Sequence, residues 1–199
     1  MQSENTQKLE AFTEEVQPLS FDNVKVGQLV YIANGTLYPS LDVSGQCCEV
    51  IYVNKDHRWL TAKLTNFNIT ITQLEFAQGF ARFVSADGVE TLIVKAFKEA
   101  HDLATVEPKM LSSAQAIKVE NYMNLKKGCM CKWVTTYSYS CEGLQEDHLD
   151  KVFGEALTSR ILSDESLYLF VWNLISKGIN DAQTLDCAKR SFKERNSGH

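Results

Sequence analysis

The stretch Gln46–Leu64, QCCEVIYVNKDHRWLTAKL, constrains this chain more than any other. Two apolar runs, Cys47–Val53 and Trp59–Leu64, flank the polar break Asn54-Lys55-Asp56-His57, the pattern of a β-hairpin with a loop of about four residues. In the second run Leu60, Ala62 and Leu64 share one face, with Trp59, Thr61, Lys63 and Thr65 on the other. The first run sets Cys47, Ile51 and Val53 against Cys48, Val50 and Tyr52. It is apolar on nearly both faces, Glu49 being the exception, and a strand of that kind belongs at the centre of a sheet.

Further strand signals surround the hairpin. Leu29, Tyr31 and Ala33 alternate with Val30 and Ile32 and run into Asn34-Gly35, a tight-turn dipeptide. Thr36–Gly45 holds Pro39, Asp42 and Gly45 and reads as a long loop. Phe67, Ile69 and Ile71 alternate with Asn68, Thr70 and Thr72. Phe80–Ser85 and Val89–Phe97, joined by Ala86-Asp87-Gly88, read as another hairpin. Roughly six short, closely spaced strands point to a small antiparallel β-barrel or rolled sheet. From Val24 to about Val84 the order of strand, long loop, strand, short loop and strand resembles an SH3-like, Tudor or KOW barrel. That likeness implies a fold and carries no function.

Either side of this region the period is helical. Leu9, Phe12 and Val16 would make residues 1–17 a helical arm ended by Pro18. Lys98–Glu107 is a short helix candidate stopped by Pro108. Ser112–Met123 is a second, lined by Ala114, Ile117 and Tyr122 and broken at Lys126-Lys127-Gly128. Residues 131–141 alternate as a strand, or as a hairpin turning near Thr135-Thr136. Three helices are expected to close the chain. The first carries the stripe Leu149, Val152, Phe153, Ala156 and Leu157. The second is capped by Ser163, striped by Leu167, Phe170, Val171, Leu174 and Ile175, and ended by Gly178. The third is capped by Asn180 with Gln183 and striped by Ala182, Leu185, Ala188 and Phe192. The expected class is α+β: a helical arm over 1–17, an antiparallel β region over 18–97, and a mainly helical region over 98–199 packed on it as one body.

Composition limits the function classes. A 199-residue chain with 44% apolar and 23% charged residues is an ordinary globular protein. Its net charge of −5 weighs against a general polyanion binder. The longest apolar run, Leu167–Leu174, is interrupted by Asn173 and is too short to span a bilayer. Met1–Gln17 is polar and acidic, unlike a secretory signal, so a cytoplasmic protein with reduced cysteines is expected.

Three clusters hold candidate chemistry. Cys129, Cys131 and Cys141, with His148 as a fourth ligand, supply the three-sulfur, one-nitrogen set that tetrahedral zinc accepts. Their C-x-C spacing differs from the usual C-x-x-C knuckle, and buried free thiols are the simpler reading. Lysines beside those cysteines would favour a thiolate nucleophile, yet no family signature surrounds any of them. Lys126, Lys127 and Lys132 with Trp133, Tyr137 and Tyr139 offer cations for phosphates and rings for stacking single-stranded nucleic acid. Neither half of the chain has an excess of Lys and Arg over Asp and Glu. Phosphate loops, a nucleophile elbow and H-E-x-x-H are missing from the sequence. The leading expectation is a non-catalytic binding or adaptor protein without a cofactor. It would present a barrel and helix surface to a protein partner, with Tyr31, Tyr38 and Trp59 as contact residues.

Overall fold

The computed structural model describes residues 21–33, 43–64, 67–130, 132–135, 138–176 and 182–197. The expected arm over 1–17, the Asn34-Gly35 turn, most of the Thr36–Gly45 loop, Gly178 and Asn180 lie outside them. The chain falls into two compact units, residues 1–89 and 90–199.

In the first unit five strands, β1 (Leu29–Ile32), β2 (Cys47–Asn54), β3 (Trp59–Leu64), β4 (Phe67–Thr72) and β5 (Ala81–Phe83), form one antiparallel sheet. Their order is β4-β3-β2-β1-β5, which puts β2 at the centre, as expected. The sheet is curled into a half-barrel, in which the two outermost described strands do not pair with each other. Its inner face carries Val30, Ile32, Cys48, Val50, Leu60, Ala62, Leu64, Ile69 and Ile71, all buried in one core. A short helix, α1 (Gln73–Ala77), closes one end through a reciprocal capping box between Thr72 and Glu75. Its Phe76 stacks on Phe83 at 4.4 Å and meets Phe21 edge-on at 6.1 Å.

The burial of Cys48 has a chemical consequence. Enclosure, with Cys47 next to it, pushes the Cys48 thiol up to about 12. At pH 8 an alkylating reagent is expected to modify the half-buried Cys47 and Cys141 readily and Cys48 only as the protein unfolds. Peptide-resolved labelling kinetics check this, and fast Cys48 labelling would contradict it.

One strand assignment needs correcting. Val89–Phe97 is not the partner of Phe80–Ser85 in a hairpin: it lies within helix α2 (Ala86–Leu103), and β5 pairs with β1 instead. Gly88 is in the first turn of that helix. The Ser85 hydroxyl accepts from the Gly88 amide at 3.1 Å, and the Ser85 carbonyl from the Val89 amide at 3.2 Å. The buried residues Leu92, Ile93 and Ala100 then recur at helical spacing. Lys98–Leu103, read as the start of a separate helix, completes α2.

In the second unit α3 (Ser113–Gly128) starts from a Ser112–Gln115 capping box and runs through Lys126, Lys127 and Gly128 rather than stopping there. Two lysines in a last turn complement the helix dipole and do not break it. Its buried side is Tyr122 and Leu125, while Ile117 is 49% exposed. Of the strand or hairpin expected there, the described residues give two strands, β6 (Lys132–Thr135) and β7 (Ser138–Ser140), paired antiparallel with Trp133 the register partner of Tyr139.

Among the described residues four helices, not three, close the chain: α4 (Glu146–Phe153), α5 (Glu155–Ser163), α6 (Glu165–Ile175) and α7 (Ala182–Asn196). Gly154, at φ +84°, divides the first expected helix, yet Leu149, Val152, Phe153, Ala156 and Leu157 are all buried as one stripe. In α6 the most enclosed side chains are Tyr168, Val171, Trp172 and Ile175, displacing Leu167, Phe170 and Leu174 from the expected stripe. In α7 Cys187 and Ala188 are buried and Leu185 is exposed. No helix among the described residues is long and apolar enough to cross a membrane.

The cap of α6 is Asp164 and not Ser163. Its carboxylate accepts from the Ser166 amide at 2.8 Å and the Leu167 amide at 3.2 Å. The Ser166 hydroxyl, and then the Leu167 amide, hold this carboxyl below its ordinary value. Its contribution is therefore present above about pH 4 and lost as pH falls through the folded value. Asp164→Ala is expected to cost about 1 kcal/mol near neutrality and to flatten that acid loss. Asp164→Ser should keep the cap without the titration. Denaturant melts at neutral and acid pH check both; an Ala variant as stable as the native chain would contradict the capping role.

Candidate interaction surface on the half-barrel

The bulge in β2 decides what the outer face of the sheet presents. Val50 pairs with Ala62 and Tyr52 with Thr61, leaving Ile51 as an extra residue. Before the bulge Cys48 and Val50 point into the core; after it Val53 does, packing partly buried against the same cluster. The inward phase slips by one residue, so Tyr52 faces outward. Ile51 is 40% and Tyr52 50% exposed.

The β2–β3 loop places a second ring beside Tyr52. The Asn54 side chain accepts from the His57 amide at 2.9 Å, and Arg58 adopts φ +53° before β3 begins. Arg58 then donates to Gln73 at 3.0 Å and lies 3.8 Å from the Asp22 carboxylate. Trp59 is in register with Asn54, which makes it a diagonal neighbour of Tyr52. The two rings meet with centroids 5.3 Å apart, tilted by 39°. Half-buried Thr61 and exposed Lys63, Asn68, Thr70 and Thr72 continue the outer face of β3 and β4. An apolar group of Ile51, Tyr52 and Trp59 thus sits inside a polar surround. Beside the loop, Asp22, Lys25, Gln28 and Lys55 line a depression of about 710 Å³, where Lys55 donates to the Asp22 carbonyl at 3.1 Å.

The sequence-derived contact residues divide. Trp59 lies on this open face. Tyr31 is only 9% exposed, with the Arg82 guanidinium 5.3 Å from its ring centroid. Tyr38 lies outside the described residues. Sequence reading missed Tyr52 because it assumed unbroken alternation along β2.

The other clusters belong to the second unit. Lys126 and Lys127 are exposed at the end of α3, with the Lys126 ammonium 5.7 Å from the Tyr122 ring centroid. The side chains of Lys132, Trp133 and Tyr139, and all of Tyr137, lie outside the description. Cys129 is fully buried at the C-cap of α3 and Cys141 is half-buried. Cys131 lies outside the described residues. Asn121 donates its amide to the Ile117 carbonyl at 2.8 Å, so its oxygen faces His148 and accepts from His148 Nδ1 at 2.7 Å. Among the described residues no three His, Cys, Asp or Glu side chains are grouped to hold a metal.

No protein-family model matches this chain, and neither a curated protein nor a solved structure matches it significantly.

Proposed function

We propose that this chain is a non-catalytic intracellular binding protein that holds a protein partner on the outer face of its half-barrel, centred on Tyr52 and Trp59. The observation that carries the reading is the Ile51 bulge, which leaves Ile51 and Tyr52 exposed, with the Tyr52 ring against Trp59. Leaving such side chains wet forgoes about 1.5–3 kcal/mol each relative to burial, an amount that a partner covering them recovers. An aromatic centre within a rim of threonine, asparagine and lysine is the anatomy of an interface. Three anchors do not exceed the association cost of about 4–15 kcal/mol by a wide margin, so the complex is a transient one unless the partner adds contacts.

The test is affinity capture from cell extract, comparing the native chain with Trp59→Ala and Tyr52→Ala. A partner retained by the native chain and lost by both variants is the expected result. A partner retained equally by all three would overturn the reading. The nucleic-acid alternative rests on Lys126 and Lys127; capture that survives Trp59→Ala but falls steeply with salt, and with Lys126→Glu, would favour it.

A further inference from the structure

In the second unit the segment that follows β7 runs along α7. Arg195 donates to the Leu144 carbonyl at 3.2 Å, and Gly143 sits so close to Ser191 that no Cβ fits between them. Arg195 and Ser191 are one helical turn apart, so the segment, followed backwards, descends α7 toward its N-terminus. Four residues of helix advance about 6 Å, and two residues of extended chain about 6–7 Å. The next step back from Gly143 therefore sets Cys141 over the turn that carries Cys187. Arg190 marks the same place. Its guanidinium lies 3.7 Å from the Cys187 sulfur and interacts electrostatically with Cys141. Both cysteines are present as thiols, and they differ in access: Cys141 is half-buried and Cys187 is 1% exposed.

We infer that Cys141 and Cys187 are an oxidant-responsive pair, in which Cys141 takes up the oxidant and Cys187 closes a disulfide onto it. The oxidant is a peroxide. The Cys141 thiolate attacks one peroxide oxygen, the O–O bond breaks, and the departing hydroxide takes a proton and leaves as water. Cys141 is then a sulfenic acid. The Cys187 sulfur attacks the Cys141 sulfur, the S–S bond forms as the S–O bond breaks, and the proton from Cys187 leaves with the hydroxyl as a second water. Two thiols have lost two electrons, and one hydrogen peroxide has become two waters. The half-buried sulfur meets solvent first, while the enclosed one is reached only from within the protein, which divides the two roles. Arg190 sets a cation beside both sulfurs, where the negative charge passes between them. The bond would fasten the segment after β7 to α7 and close a long loop through α4, α5 and α6, which restricts the unfolded chain. In a reducing compartment it is transient and is reset by thiol exchange.

The test is brief treatment of the fully reduced native chain with hydrogen peroxide, followed by alkylation and peptide mapping without reductant. The expected product is a Cys141 peptide joined to a Cys187 peptide, two hydrogens lighter than the pair and separated again by dithiothreitol. Cys141→Ser should abolish the link and leave Cys187 reduced. Cys187→Ser should halt at a Cys141 sulfenic acid that dimedone traps. Oxidation should raise the melting temperature of the native chain and leave that of Cys141→Ser unchanged. Because Cys187 is buried, its variant is read only when circular dichroism shows the native fold; the native map and Cys141→Ser decide the matter without it. A native chain that gives no Cys141–Cys187 link, or that joins either residue to another cysteine such as Cys129 instead, would overturn the inference. Every group involved lies in the second unit, so the outcome is independent of the function proposed above.

Discussion

Gly143→Ala is expected to destabilise the protein by about 3 kcal/mol, from left-handed backbone strain and a broken half-buried hydrogen bond. Gly143 has φ +78°, and a Cβ there would lie 2.2 Å from Ser191 Oγ. Ser191 is not free to swing aside without loss, because its hydroxyl is 2.9 Å from the Tyr168 hydroxyl. That hydroxyl also accepts from the Leu144 amide at 3.3 Å, and Arg195 donates to the Leu144 carbonyl at 3.2 Å while reaching Glu146. The segment after β7 is therefore tied to both α6 and α7 at one point. Burial pushes the Tyr168 phenol up, against the pull of these bonds. Gly128 faces the same junction: a Cβ on it would stand 2.5 Å from the Gly143 carbonyl oxygen. In an ordinary helix Gly→Ala gains up to about 1 kcal/mol; at Gly128 the sign should reverse. Chemical denaturation of the two variants measures both effects. A Gly143→Ala protein within error of the native one would show that the junction is looser than its geometry.

Trp59→Ala is expected to weaken partner binding about 30-fold or more, the hot-spot scale of about 2 kcal/mol, with Tyr52→Ala close behind. The two rings support each other across the hairpin, so the double variant should lose less than the sum of the singles. Both side chains lie on the open face and leave the inner core intact, so the melting transition should shift only slightly. Titration of the captured partner with each variant, beside thermal melts, separates lost contact from lost fold. A large fall in stability would show that Trp59 acts as packing, and unchanged affinity would remove it from the interface.

Much of the half-barrel was legible in the residues because burial there follows strict alternation. Leu60, Ala62 and Leu64 against Trp59, Thr61 and Lys63 place β3 and its faces directly, and Ile69 and Ile71 do the same for β4. The centrality of β2 was legible too, although for a partly different reason. Its second apolar face is the product of a bulge rather than of burial on both sides. Val89–Phe97 misled because a short apolar run after Asp87-Gly88 suits a strand and a buried helix equally. What distinguishes them is the Ser85 cap and the burial of Ala100, which lies beyond the run. The break at Gly154 could not be read from a stripe that remains continuous across it. Asp164 displaced Ser163 as a cap because the turn begins one residue later than periodicity implies. Of the site, Trp59 was legible as an aromatic on a strand face. Its pairing with Tyr52 depends on a register slip that no single residue type announces.

The most direct measurement of the central claim, that the outer face around the bulge is where a partner sits, is photo-crosslinking from that face. A chain carrying p-benzoylphenylalanine in place of Tyr52, irradiated in extract, is expected to give discrete partner adducts, whereas the same probe in place of exposed Lys109 gives none. Adducts of equal yield from both positions, or none from Tyr52 while partner capture is intact, would contradict it.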